Sequence, residues 1–407
     1  MRDAATLQTL LHSADGRRDP YPIYAELHGL GPVCIVDRTN RFRAMVHGYQ
    51  AANQLLRDPA FRVLDSHQMD QMQRPWREHP VQAALMRSMF FNNAPDHSRL
   101  RKLFSQAYTP ARVKALTPQI IRTAQEHLDR MAEQGADGSP VDFIAEFAIK
   151  VPGDVISEMM GVPVADRAWF LPRAQAFGDA LELGISPPHV LEAGDRAAIE
   201  LAEFFTDLVA LRRKDPQDDI VTELSRLYAE CGFDDDELMA GLITFFNAGF
   251  ISTTHLLGNG LALLLDHPST AAALAADPDL AEGYVEEILR HGAPTHFVVR
   301  LSTEEREIAG ATIPAGVSVL VLLAAANRDP SQFENPDGFD PFRTNIRPLT
   351  FGAGPHYCLG HALSRLEGQI VLPMLLQRFP DMTLAERRPM QARYTLRGYD
   401  TLPVKLG

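Results

Sequence analysis

The feature that most constrains this chain is a short run that surrounds one cysteine, Cys358, with glycines, an aromatic residue and a histidine. The run covers residues 351–365 and reads FGAGPHYCLGHALSR. A thiolate that binds a metal must stay ionised, and backbone amides that approach the sulfur closely favour that state. Gly354 and Gly360 lack a Cβ and therefore permit such an approach. We interpret the run as a metal-binding cysteine loop that leads into a helix.

The alternative is that Cys358 is an ordinary buried thiol in a glycine-rich turn, which is the commoner role of an isolated cysteine. The spacing argues against this. Phe351, Gly354, Cys358 and Gly360 occupy the four fixed positions of Phe-x-x-Gly-x-x-x-Cys-x-Gly, and the run resembles the signature of the cytochrome P450 family. The resemblance implies that Cys358 binds haem iron as a thiolate, that Phe351 shields the sulfur, and that His356 donates to a haem propionate.

Length and composition favour one large globular domain. The chain has 407 residues, of which 45% are hydrophobic and 22% charged, and we find no linker, internal repeat or low-complexity tract. We therefore predict a single domain over residues 1–407. The three cysteines lack the spacing of a disulfide framework, which fits a reducing compartment. A net charge of −13 disfavours nonspecific binding to nucleic acid or to anionic membranes.

No apolar run has the length of a signal peptide or of a membrane span, so we expect a cytoplasmic, soluble monomer.

The sequence pattern predicts a helix-rich middle with strands near both ends. Residues 33–36 and 42–46 flank Arg38, Thr39 and Asn40 and are typical of a hairpin. A second strand group is predicted over residues 297–323. The longest helix is predicted from about residue 235 to 265, a length of about 45 Å.

Further segments resemble the same family along nearly the whole chain. Residues 19–22 match its N-terminal opening, and residues 326–343 resemble the meander that precedes the cysteine loop. The resemblance implies a cytochrome P450 fold, mainly α with small β-sheets, in which a long central helix crosses over the haem. It also implies the cofactor, haem b (iron protoporphyrin IX).

Glu287 and Arg290 are three residues apart and so share one face of a helix. Alone, such a pair is usually a solvated surface contact. The resemblance implies instead the Glu-x-x-Arg element of the family, which bonds a meander arginine, here Arg343, and holds the haem-binding side in place.

The resemblance also assigns the haem propionates to four cationic or donor side chains. His97 and Arg101 stand four apart on one predicted helical face, and Arg300 follows Arg290 by ten residues. Carboxylates in an apolar cleft need such partners, because an unpaired buried charge is costly. His97, Arg101, Arg300 and His356 are therefore the predicted propionate partners.

The middle of the long helix departs from the family pattern. Residues 247–254 read NAGFISTT, whereas the family has Ala/Gly-Gly-x-Asp/Glu-Thr, an acid and an alcohol that help to deliver protons to bound oxygen. The alignment places Ile251 at the acid position and Ser252 at the alcohol position. We predict catalytic roles for Ser252 and Thr253, although a helical serine often only bonds a carbonyl one turn back. Without an acid at Ile251, two sources of protons stay open: water and a polar group of the substrate itself.

The resemblance implies a monooxygenase of secondary metabolism that uses O2 to oxidise, most simply to hydroxylate, an apolar or aromatic small molecule. A ferredoxin and its reductase would supply electrons, and the basic Arg99, Arg101 and Lys102 are candidates for the docking surface. The predicted pocket walls are Met86, Met89, Phe246, Phe250, Thr295 and Val298. Two alternatives stay open: oxidative coupling, desaturation or rearrangement without oxygen insertion, and a non-catalytic haem-binding accessory protein.

Overall fold

The structure is a computed structural model that describes residues 2–36, 42–180, 187–232, 234–386 and 389–407. Helices dominate the described residues, and the strands are two to five residues long. The predicted class, mainly α with small β-sheets, is confirmed.

The α-helices of the described residues are as follows in chain order: α1 Ala4–Leu11, α2 Ala14–Arg18, α3 Tyr21–His28, α4 Tyr49–Arg57, α5 Ser66–Gln71, α6 Pro80–Arg87, α7 Asp96–Ala107, α8 Pro110–Ala115, α9 Thr117–Gln134, α10 Lys150–Met159, α11 Val164–Asp179, α12 Pro188–Lys214, α13 Ile220–Cys231, α14 Asp235–Asp266, α15 Pro268–Ala276, α16 Ala281–His291, α17 Leu323–Ala326 and α18 His361–Arg378. The strands are β1 Val33–Ile35, β2 Ala44–Val46, β3 Phe61–Arg62, β4 Val141–Asp142, β5 Val298–Ser302, β6 Arg306–Ile308, β7 Ala311–Ile313, β8 Ser318–Val321, β9 Thr383–Leu384 and β10 Pro403–Lys405.

The chain divides into two compact units. Unit 1 comprises Met1–Arg62, Ala124–Ala148 and Ser252–Gly407, and unit 2 comprises Val63–Thr123 and Ile149–Ile251. The single domain over residues 1–407 stays a prediction.

Unit 1 contains three sheets within the part of the chain that the structure describes. The largest has the strand order β1-β2-β8-β5-β3, in which β2 and β8 are parallel and the other neighbours antiparallel. Strands β1 and β2 pair with Val33 opposite Val46, as the hairpin prediction requires. The predicted turn residues Arg38, Thr39 and Asn40 lie outside the described residues. The predicted strand group over residues 297–323 forms β5 to β8.

Helix α14 matches the predicted long helix to within one residue at its end. Its first turn carries Asp235, Asp236 and Glu237, whose charges are favourable at a helix N-terminus. By length and composition alone it could cross a membrane, but 72% of its most apolar stretch is buried inside the protein. Such burial is typical of a core helix.

Unit 2 is organised around an aromatic cluster. The Phe246 ring on α14 packs edge-on against Phe170 of α11, with ring centroids 4.4 Å apart, and Phe250 lies 5.7 Å from Phe246. Phe205 of α12 packs against Phe170 in the same way at 5.5 Å. These rings join α11, α12 and the first half of α14 through apolar burial and edge-to-face contacts.

A buried ion pair organises the helical part of unit 1. The side chains of Glu287 and Arg290 on α16 are both 0% exposed, and two N–H···O bonds of 2.7 Å join them. Arg343 donates from Nε to the Glu287 carboxylate at 3.3 Å. Arg290 also donates to the carbonyl oxygens of Asn327 and Pro336. The helix therefore holds the meander, the segment of residues 326–343, through charged hydrogen bonds.

Asn327 extends this network to the start of the cysteine loop. Its side-chain oxygen accepts from the Leu349 amide at 2.7 Å, and its side-chain nitrogen donates to Thr350 Oγ1 at 2.9 Å. Thr350 in turn donates to the Leu289 carbonyl of α16 at 2.5 Å. The backbone just before Phe351 is thus fixed to α16 from two directions.

We predict that Glu287→Gln lowers the free energy of unfolding by about 3–5 kcal/mol, because Arg290 would keep its charge without a buried anion beside it. Urea unfolding measures the change. The matched control is Glu304→Gln, whose partner Arg306 lies at the surface, and exposed pairs contribute little. Equal stabilities of the two variants would contradict the structural role of the buried pair.

Candidate functional site

The cysteine loop is a tight backbone structure between two short 3₁₀ turns and α18. The turns are Leu349–Phe351 and Gly354–His356, and α18 begins at His361. The Cys358 amide donates to the Phe351 carbonyl at 2.9 Å, which closes the loop on itself. Cys358 is partly exposed, and none of the three cysteines, all of which are described, forms a disulfide. The loop presents its sulfur on a fixed backbone.

Gly354 is required by its surroundings. Its φ is +69°, and a Cβ there would lie 2.4 Å from the Leu56 carbonyl oxygen of α4. Any other residue would push the loop away from α4. Gly360 differs, because a Cβ there would make only an ordinary contact, 3.9 Å from Cys358 Sγ. The role of Gly360 beside a cofactor stays a prediction.

Phe351 belongs to a group of rings beside the cysteine. Its ring lies 6.5 Å from that of Tyr357 and 6.3 Å from that of His361, and the Arg365 guanidinium is 4.5 Å from its centroid. Arg365 also pairs with Glu286 of α16. Sequence reasoning missed this ion pair. The i, i+4 spacing of His361 and Arg365 in the quoted run indicates only that these two residues lie on one face of α18.

Arg300 is a buried cation that has no carboxylate partner among the described residues. It is 7% exposed on β5, and its guanidinium donates to the adjacent Val299 carbonyl. Burial lowers the pKa of its guanidinium to about 10. A buried guanidinium is costly unless an anion accompanies it. The residue therefore fits a cofactor that carries carboxylates.

The other predicted propionate partners lie on two separate elements. His356 is half-buried in the second turn of the cysteine loop, in unit 1 with Arg300. His97 is 4% exposed on α7 of unit 2, and Arg101 is half-buried one turn later on the same helix. The spacing puts His97 and Arg101 on one face of α7, and their contact with a propionate stays a prediction.

The two predicted oxygen-handling hydroxyls on α14 differ in their surroundings. Thr253 is 1% exposed and donates from Oγ1 to Ser364 Oγ of α18 at 3.2 Å. Ser252 is half-buried, and a one-residue step turns a helical side chain by about 100°. The Thr253 hydroxyl thus links α14 to α18, whereas Ser252 lies on another face of α14.

Ile251 is closely packed where the family has an acid. It is 3% exposed, and a Cβ added at Gly178 of α11 would lie 2.1 Å from its Cδ1. The side chain therefore lies directly against the α11 backbone. The site is tightly filled, and the Asn247 amide lies against the same glycine, 3.0 Å from the added Cβ.

The predicted pocket walls are found mostly in the cores of the two units. In unit 2, Met86, Met89, Phe246 and Phe250 are each at most 8% exposed, and the two phenylalanines belong to the aromatic cluster. In unit 1, Val298 and Thr295 are partly buried, and Val298 packs against the core under the large sheet. Core packing explains these contacts, so a role in a pocket stays a prediction.

Only part of the predicted basic cluster on α7 is exposed for contact with a partner protein. Arg99 makes two hydrogen bonds, of 2.8 and 2.6 Å, to the Glu237 carboxylate of α14, which raises the pKa of Arg99 above its usual value. Its charge is thereby balanced within unit 2. Lys102 is exposed. Among Arg99, Arg101 and Lys102, Lys102 is the residue whose exposure best suits contact with a partner protein.

Comparisons with known proteins agree with these features. A family model described as Cytochrome P450 matches residues 182–393. The biotin biosynthesis cytochrome P450 of Bacillus subtilis is 33% identical over 98% of this chain and 99% of its own length. The 6-deoxyerythronolide B hydroxylase of Saccharopolyspora erythraea is 36% identical over 95% of this chain and 96% of its own length.

A solved structure extends the likeness to three dimensions. The crystal structure of P450BioI in complex with an acyl carrier protein ligated by hexadec-9Z-enoic acid has a TM-score of 0.87 and 32% identity, and the match covers 97% of this chain and 100% of that one. The predicted fold is confirmed. The chain is an enzyme of the haem-thiolate class, and it belongs to the cytochrome P450 family.

Proposed function

We propose that this chain binds haem b and that the Cys358 thiolate would hold its iron. Arg300, His356, His97 and Arg101 would hold the propionates. The observation that supports the proposal most strongly is the buried Arg300 guanidinium, which has no carboxylate partner among the described residues. The closed cysteine loop, with Cys358 fixed to Phe351, supports the sulfur ligand.

The bound cofactor would supply oxygen activation, because a thiolate ligand favours O–O cleavage. The reaction is R–H + O2 + 2 e⁻ + 2 H⁺ → R–OH + H2O. The Phe351 ring would shield the Cys358 sulfur from water. Ser252 would orient a water molecule or the oxygen through its hydroxyl, and the apolar Ile251 would keep bulk water out. The Thr253 hydroxyl would act through Ser364, with which it is hydrogen-bonded.

The electrons would come from a small ferredoxin and its reductase, with Lys102 as a contact for an acidic donor protein. We further propose a cytoplasmic, monomeric enzyme. The substrate would be an apolar or aromatic small molecule of secondary metabolism. Relatives of this chain support this substrate class. One is named for hydroxylation of 6-deoxyerythronolide B, and another was crystallised with an acyl carrier protein that bears a fatty acyl chain.

One observation favours a second candidate reaction. Ile251 replaces the acid that the family uses in oxygen cleavage, so oxidation without oxygen insertion, such as coupling or desaturation, is the alternative. No observation favours the other alternative, a non-catalytic haem-binding accessory protein. Such a scaffold needs neither a closed cysteine loop nor a buried Arg300.

We predict that Arg300→Met weakens haem binding about tenfold, because one charge-assisted hydrogen bond to a propionate is lost. The free energy of unfolding of the apoprotein should not fall, since the substitution removes a buried unpaired charge. Absorbance titration of the apoprotein with haemin and urea unfolding measure the two effects. Arg306→Met is the control, because Arg306 of β6 is more exposed and paired with Glu304. Unchanged haem affinity in Arg300→Met would refute this role.

The function itself is tested by product analysis with isotopically labelled dioxygen. Compounds are first screened for a shift of the ferric haem spectrum, which reports entry into the pocket. The compound with the largest shift is then turned over with a surrogate ferredoxin and reductase. We expect one labelled oxygen atom in the product. A product that lacks the label would support coupling or desaturation, and the absence of any product with every compound that shifts the spectrum would contradict an enzymatic role.

A further inference from the structure

Arg397 of unit 1, like Arg300, is buried without a carboxylate partner in the described part of the chain. Its side chain is 2% exposed. Two of its guanidinium nitrogens donate to the carbonyl oxygens of Arg18 and Arg393, and its Nε has no hydrogen-bond partner among the described residues. Neutral carbonyl groups balance a full charge poorly, and a buried guanidinium is unfavourable unless an anion accompanies it. Arg397 therefore needs a negative charge nearby.

A small cavity adjoins Arg397 within unit 1. Its volume is about 20 Å³, and it lies between α2, α3, the residues that precede β5, and residues 393–397. The lining includes three arginines, Arg17, Arg393 and Arg397, together with His296, and none of its described lining residues is an Asp or a Glu. The wall of the cavity thus carries positive charge that no lining carboxylate balances.

His296 adds a hydrogen-bond donor to this wall. Its side chain is 1% exposed, its Nδ1 lies 3.0 Å from the Tyr24 hydroxyl, and its Nε2 has no hydrogen-bond partner among the residues that the structure describes. Burial lowers the pKa of His296 well below its usual value, so the ring is neutral and carries one proton. When the Tyr24 hydroxyl donates to Nδ1, that proton is on Nε2. The ring thus brings an N–H group to the lining.

Arg17 approaches the cavity from α2. Its guanidinium lies over the Tyr394 ring, 4.8 Å from the centroid, and its Nε is buried without a hydrogen-bond partner in the described ranges. The acids nearest to it in sequence, Asp15 and Asp19, are both exposed, and neither lines the cavity. An anion that balances the lining must therefore come from solution.

The size of the cavity limits what this anion can be. One bound water molecule needs about 10–15 Å³ of such volume, so a cavity of about 20 Å³ admits one particle of similar size. Acyl chains, nucleotides and phosphate are too large. Water fits, but it leaves the charge of Arg397 uncompensated. One monovalent anion of the size of chloride satisfies both the volume and the charge.

We propose that this cavity binds one chloride-sized monovalent anion, held by N–H groups of Arg17, His296 and Arg397. The ion joins α2 to two segments that already pair through their backbones. The His296 amide donates to the Thr395 carbonyl at 2.9 Å, and the Arg397 amide donates to the Pro294 carbonyl at 2.8 Å. The anion therefore stabilises the packing of the N-terminal helices on the C-terminal segment, and this role is independent of the proposed reaction.

Urea unfolding of the purified holoenzyme tests the site in solution. Sodium chloride replaces sodium gluconate stepwise at constant ionic strength, because gluconate is too large for the cavity. The holoenzyme is used because Arg300 of the apoprotein would also attract an anion. At a chloride concentration about ten times its Kd, the unfolding equilibrium constant should be about tenfold lower than in gluconate, and the effect should saturate.

Two neighbouring arginines of α2 provide a matched pair of variants. Arg17→Gln removes a donor of the cavity and should weaken chloride binding about tenfold. Arg18→Gln removes the same charge from the next residue, which is exposed and does not line the cavity, and it should keep the wild-type response. An equal response to chloride in the wild type and in both variants would be a nonspecific salt effect and would overturn the site.

Anomalous diffraction from wild-type crystals grown in bromide locates the ion directly and needs no variant, so it also decides the question if Arg17→Gln fails to fold. We expect a bromide peak within hydrogen-bond distance of Arg397 Nε and His296 Nε2. A cavity that holds only water would overturn the proposal. A bromide peak without any effect of chloride on unfolding in solution would show binding at crystal concentration only and would overturn it as well.

Discussion

The Glu287–Arg290 ion pair is the interaction that holds the backbone leading into the cysteine loop in place. Both side chains are fully buried. Arg290 binds the Asn327 carbonyl, and the Asn327 side chain binds Leu349 and Thr350, directly before the cysteine loop. The geometry of Cys358 therefore depends on an ion pair about seventy residues earlier in the chain.

Burial shifts the pKa of two side chains of unit 1, Arg300 and Glu367, in opposite directions. Arg300 is buried on β5 without a carboxylate partner among the described residues, which is unfavourable unless a ligand supplies the anion. Glu367 of α18 is buried, its carboxyl oxygens have no hydrogen-bond partner among the described residues, and burial raises the pKa of this carboxyl well above its usual value. Burial of Arg300 thus favours an acidic cofactor, whereas burial of Glu367 favours the neutral form of its own carboxyl.

Local patterns in the sequence predicted much of this fold. The long helix, the hairpin of β1 and β2, and the contact of Arg343 with Glu287 all follow from periodicity, turn residues and a family motif whose positions are fixed. Contacts between distant residues could not be predicted in this way. The pair Arg99–Glu237 spans 138 residues, and it changes how much of the basic cluster is available to a partner. The burial of Glu367 on α18 likewise depends on tertiary packing, which a single sequence does not specify.

Carbon monoxide difference spectroscopy of the reduced protein tests whether the Cys358 sulfur binds haem iron. We expect the red-shifted Soret band of a thiolate-bound haem in the wild type and in the control Cys231→Ala, whose thiol lies at the surface. We expect Cys358→Ala to lose this band. A protein that stays colourless after ample haem supply, or a Cys358→Ala variant that keeps the band, would overturn the assignment of Cys358.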